Sequence, residues 1–111
     1  MKRLLALALF LSITALSAGL YAAETAGPAR GVTRLFYACP SGAELCGPTF
    51  TPDGRTLFVA IQHPGEDNGL AADAGSSFDK PGNRWPDFDP ALPPRPSVVV
   101  ITQVEGKEIG A

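Results

Sequence analysis

Residues 62–96 contain no apolar run of strand length, and this gap limits what the chain can fold into. The interval holds seven of the 11 prolines and six acidic side chains, Glu66, Asp67, Asp73, Asp79, Asp87 and Asp89. Connections this long are uncommon inside compact domains and are usually functional or disordered. The apolar sequence outside it falls into four strand-like runs after residue 31. Residues 32–38 (VTRLFYA) are β-branched and aromatic. Residues 44–50 form a weaker run, interrupted by Gly47 and Pro48. Residues 56–62 (TLFVAIQ) are the best strand, and residues 97–104 (SVVVITQV) the fourth. No segment after residue 23 shows a 3.6-residue apolar period, so the fold class is all-β. Pro52-Asp53-Gly54 separates the second and third runs. Proline presets φ and glycine accepts a positive φ, so the pair reads as a hairpin. One hairpin with one or two neighbours keeps two apolar faces and two open edges. It reads as a single, incomplete β-propeller blade carrying a long acidic Pro/Gly-rich loop, because repeat blades need neighbours to bury their faces.

The first 23 residues read differently. Lys2 and Arg3 precede an almost wholly apolar run, LLALALFLSITAL, followed by small residues through Ala23. This is the order of a secretory signal peptide, expected as a helix over residues 1–23. The run is short of the ~20 residues that cross a bilayer. No stable membrane insertion is expected after cleavage, and a periplasmic or extracellular location follows. Residues 24–31 read as a mobile leader, and residues 32–111 as the folded part. Loss of Lys2 and Arg3 takes the formal charge from −2 to −4. A net acidic chain without a basic run is not expected to bind nucleic acid.

Cys39 and Cys46 are the only cysteines. In an exported chain of this size the first expectation is a Cys39–Cys46 disulfide. Two buried thiols, or a metal-binding thiolate pair, are the alternatives. The C-x6-C spacing fits no zinc pattern.

The blocks Gly42-Ala43-Glu44, GPTFTPDGRTLFV (residues 47–59) and Gln62-His63-Pro64-Gly65-Glu66 are more specific than generic strands. With Trp85-Pro86 and the run from Pro96 to Thr102, they resemble the C-terminal end of the PhoX-type alkaline phosphatases. The resemblance spans about residues 33–110. It implies a lineage of exported phosphomonoesterases, built as β-propellers around a calcium and iron centre. Members are several times longer, and the blades with most metal ligands have no counterpart in these residues. Calcium and iron are therefore expected from the resemblance only, with neither held by this chain alone. Members typically leave the cell by the twin-Arg route, and no Arg-Arg pair is present.

Carried over by position, Glu44 is the expected metal ligand, since a carboxylate suits a hard cation. His63 ends the strongest strand and is the only histidine; phosphate contact or proton transfer would suit it. Arg55 could hold a phosphate in bidentate fashion, although its place after Asp53-Gly54 suits solvated turn surface. Asp87-Phe88-Asp89 opens like an EF-hand loop but fails at Pro90 and Leu92. Trp85 reads as an anchor that pins the long loop to the blade.

The expected function is thus an exported fragment of a PhoX-type phosphatase, inactive alone, whose partners are the remaining propeller blades in trans. The second reading is an exported small β-rich module that pairs with a partner sheet.

Overall fold

Turn chemistry sets the centre of the fold. In the computed structural model, Thr51 and Thr56 close the hairpin through Thr51 N–H to Thr56 O at 2.9 Å. Gly54 N–H returns to Thr51 O at 2.9 Å, and Gly54 takes the left-handed conformation at φ 67°. Pro52 and Gly54 thus occupy the second and fourth places of a tight turn, as their backbone preferences dictate. Asp53 accepts from the Thr51 hydroxyl at 2.6 Å and the Arg55 amide at 3.1 Å. The Thr51 bond first, then the Arg55 amide, hold its carboxyl below the usual range.

The structure describes residues 5–10, 19–66 and 75–110, with only the backbone for 5–10. Six strands form two antiparallel sheets. Strands β1 (Leu5–Phe10), β2 (Gly19–Glu24) and β3 (Thr33–Ala38) make the first, in that order. Strands β4 (Glu44–Phe50), β5 (Thr56–Gln62) and β6 (Ser97–Thr102) make the second. Neither sheet closes, and the described residues contain no helix.

β5 is central in its sheet. Its side chains alternate, with Leu57, Val59 and Ile61 at most 1% exposed. Cross-strand partners extend that face: Leu45 lies opposite Ile61, Val99 opposite Val59 and Ile101 opposite Leu57. Leu20 of β2, with Cys39 and Ala43 beyond β3, completes the buried cluster. Each fully buried aliphatic side chain contributes about 1.5–3 kcal/mol.

The same alternation turns a second apolar row outward. Phe58 lies opposite Val100, and Ala60 lies between Cys46 and Val98. Phe58 is 37% exposed, Val100 56% and Val98 63%. Leu57-Phe58-Val59-Ala60-Ile61 and Val98-Val99-Val100-Ile101 are continuous apolar runs. Such runs belong to strands covered on both faces, whereas a half-covered antiparallel strand alternates apolar with polar. At Gly47-Pro48 the β4–β5 register shifts in a bulge, with Gly47 at φ 59°. Proline has no N–H for a ladder, so a bulge is where a strand tolerates it.

Two expectations need correction. The helix expected over residues 1–23 is absent from its described parts: Leu5–Phe10 is β1, paired with β2 from Leu5↔Glu24 to Phe10↔Gly19. A short apolar run without contrast suits helix or strand equally, and here the partner strand decides. Residues 1–4 and 11–18 lie outside the described residues. The segment 24–31, expected as a leader, closes the β2–β3 hairpin through Gly31 N–H to Glu24 O at 2.8 Å. The β4–β5 hairpin has one neighbour, β6, within the one or two expected, since β3 pairs with β2.

Candidate functional site

The block His63-Pro64-Gly65-Glu66 folds into a tight turn at the end of β5. Glu66 N–H donates to His63 O at 3.1 Å, and Gly65 stands at φ 85°. Proline second and a left-handed glycine third define a type II turn. His63 itself lies at φ 52°. A residue before proline ordinarily stays extended, so this position is strained. The turn aims the imidazole at its own fourth residue, with Nδ1 3.2 Å from Glu66 Oε1. A carboxylate on Nδ1 orients the ring and leaves Nε2 available, the arrangement a general base requires. Both side chains are about half exposed.

Glu44 belongs to the same end of the sheet, since it lies opposite Gln62, the residue before His63. Arg55 is at the other end. The seven residues of β5 separate it from His63, a span of roughly 26 Å at the usual strand rise. The structure therefore brings Glu44 and His63 to one edge and leaves Arg55 in the hairpin turn. Glu66 is the residue that sequence reasoning missed as His63's partner; its i,i+3 spacing across Pro-Gly was the available signal.

Among the described residues, no three His, Cys, Asp or Glu side chains gather as a metal set. Glu44 is exposed, and one carboxylate does not meet the six to eight oxygens of Ca²⁺. The donors present therefore do not fit a calcium or iron centre. Cys39 and Cys46 stand as thiols and do not form the expected disulfide. Cys39 Sγ donates to Ala43 O at 3.3 Å inside the core, whereas Cys46 lies on the outward face of β4 toward Ala60 O. Cys39 thus lies in the core after β3, and Cys46 on the outward face of the second sheet.

The long loop is braced over its described part. Gly82 N–H donates to Gly65 O at 2.8 Å, and Arg95 N–H to Trp85 O at 3.1 Å. Arg95 Nη2 and Nε meet Asp87 Oδ2 at 2.6 and 3.0 Å. Trp85 packs against the core, the anchoring role expected of it. Gly65 sits where the loop crosses: a Cβ there would lie 2.7 Å from Pro94 Cγ and 2.8 Å from Asn83 O. Gly65→Ala is expected to destabilise by about 1–3 kcal/mol from φ alone, and further from the clash. Gly27, at φ 76° with nothing within 4 Å, supplies the control. Urea midpoints of the two alanine variants separate the contributions; equal losses would show that the close approach at Gly65 costs nothing.

Between the loop and the end of β3 lies a cleft of about 340 Å³, lined by Tyr37, Cys39, Ser41, Asn83, Trp85 and Phe88 among others. Burial first, then the neighbouring Cys39, raise the pKa of the Tyr37 hydroxyl above its ordinary value. Tyr37 thus stays protonated, a hydrogen-bond donor, to higher pH than a free tyrosine. The neutral side chain favours the fold below about pH 10, and that contribution is lost as pH rises through the raised pKa.

The architecture defines an all-β, two-sheet unit with one apolar face uncovered. Residues 11–65 match the family Alkaline phosphatase PhoX, consistent with a PhoX-type fragment over that stretch. No curated protein and no solved structure matches the chain significantly. The family match begins within the run read as an export signal and takes in β2 to β5. It ends at Gly65, so the Trp85 loop and β6 lie beyond it.

Proposed function

We propose that this chain is an exported PhoX-type phosphatase segment that works only as part of a larger sheet assembly and has no turnover alone. The outward row of Phe58, Val98 and Val100 carries this reading, because a sheet apolar on both faces requires a second covering layer. The site end supports it too. Glu44 offers one oxygen donor and His63 one oriented nitrogen, which is part of a centre for phosphomonoester hydrolysis and not the whole. The missing donors come from the partner that covers the sheet. Arg55, about 26 Å from His63 along β5, takes no part.

The test is hydrolysis of p-nitrophenyl phosphate with millimolar Ca²⁺ and iron present. The purified chain is expected to show no turnover. Activity is expected on mixing with a PhoX-type phosphatase truncated before its last blade, which is itself inactive. Saturable turnover by the chain alone, abolished by Glu44→Gln, would overturn the proposal. The second reading, a module that pairs with an unrelated sheet, draws on the same uncovered face. It predicts that the chain binds a partner without restoring phosphatase activity.

A further inference from the structure

The cleft beside Trp85 is a built feature that the phosphatase reading does not use. One wall comes from the end of β3, with Tyr37, Ala38, Cys39, Pro40 and Ser41. The other comes from the long loop, with Asn83, Trp85 and Phe88. A tertiary bond ties the walls: Asn83 Nδ2 donates to Ser41 O at 2.9 Å. Asn83 also fixes the loop wall from within, accepting from Trp85 N–H at 3.1 Å. Behind it, Trp85 O accepts from Arg95, whose guanidinium is held by Asp87. The cleft is therefore formed in advance, which lowers the ordering cost of binding.

Phe88 at the rim departs from ordinary behaviour twice. It is 70% exposed, and its backbone is left-handed at φ 54°. An aromatic residue in that region is an outlier, and such strain persists only where surrounding structure enforces it. Here Phe88 N–H donates to Arg84 O at 2.7 Å, and the Asp87–Arg95 pair flanks it. The loop spends conformational energy to keep a large apolar ring in water, beside two other aromatic rings.

The lining identifies the ligand class. Among the described residues no charged side chain borders the cleft, so a charged group entering it would lose water without gaining a counter-charge from them. Three aromatic rings offer stacking surfaces. The polar complement is small: the Tyr37 and Ser41 hydroxyls and what Asn83 has left after its two internal bonds. A sugar carries a hydroxyl on nearly every ring carbon, and most would find no partner there. A volume of about 340 Å³ suits one ring with a substituent. We infer that this cleft is a binding site for a neutral aromatic ring bearing one polar group at its edge, clamped between Trp85 and Phe88. The inference is independent of the phosphatase reading, since neither Glu44 nor His63 borders the cleft.

Trp85 is the only tryptophan, so its fluorescence reports this site directly. The full chain is titrated with phenol, with excitation at the red edge of indole absorption. Saturable change in Trp85 emission is expected, with no saturable change for cyclohexanol or glucose. Phe88→Ala is expected to weaken phenol binding by about two- to tenfold. Phe78→Ala, at an exposed phenylalanine outside the cleft lining, should leave it unchanged. Unaltered circular dichroism of both variants shows that the fold survives. Linear, unsaturable quenching by phenol would overturn the inference. So would equal binding by the Phe88→Ala variant, or tighter binding of phenyl phosphate than of phenol.

Discussion

Leu57→Ala is expected to cost about 2–5 kcal/mol and to lower the thermal midpoint by at least roughly 10 °C. Leu57 is wholly buried near the start of β5, and Val59 and Ile61 on the same face are as deeply enclosed. Alanine leaves a cavity bounded by two strands that are themselves hydrogen-bonded on either side of β5, so the site cannot collapse freely. The neighbouring Phe58→Ala removes a larger side chain from the opposite face, which is open to water. It is expected to cost much less. Thermal melts followed by circular dichroism compare the two. Equal losses would mean that the faces of β5 are wrongly assigned.

The second large effect concerns the uncovered face. Val98→Lys with Val100→Lys is expected to leave the isolated chain folded, since both side chains already lie mostly in water. In the reconstitution with a truncated PhoX-type phosphatase, the same pair should weaken association by at least about a hundredfold. Two ammonium groups would have to be desolvated against an apolar sheet without partners. Recovered phosphatase activity, titrated against chain concentration, measures this. Undiminished reconstitution by the double variant would remove this face as the joint.

The hairpin was legible in the sequence because its signals are local. Pro52, Asp53 and Gly54 dictate the turn, and the bounds of β4 and β5 coincide with the expected runs 44–50 and 56–62. β6 is two residues shorter than its apolar run, because Gly106 N–H turns back to Gln103 O at 2.9 Å. The anchoring of the long loop by Trp85 was also legible, since a lone tryptophan in a polar stretch has few other uses. What escaped was decided at a distance. LALALF has no intrinsic contrast between helix and strand, and its pairing with β2 settles the matter. The cleft joins residues 37–41 to 83–88 through the Asn83–Ser41 bond, which no spacing announces. At His63 the local rule pointed the wrong way. A residue before proline should be extended, yet the Pro64-Gly65 turn and the packing of Gly65 under Pro94 hold it left-handed. The Glu66 contact depends on that departure, and only its i,i+3 spacing across Pro-Gly hinted at it.

The bulge at Gly47-Pro48 also fixes the polarity with which the second sheet can grow. Its β4 border is broken where proline removes a donor and the register slips. Its β6 border offers a regular row of peptide groups. A sheet with one receptive border behaves as a terminus: it can finish a neighbouring stack of strands but cannot propagate one. Self-association through strand addition should therefore stop at a pair and not run on into fibres.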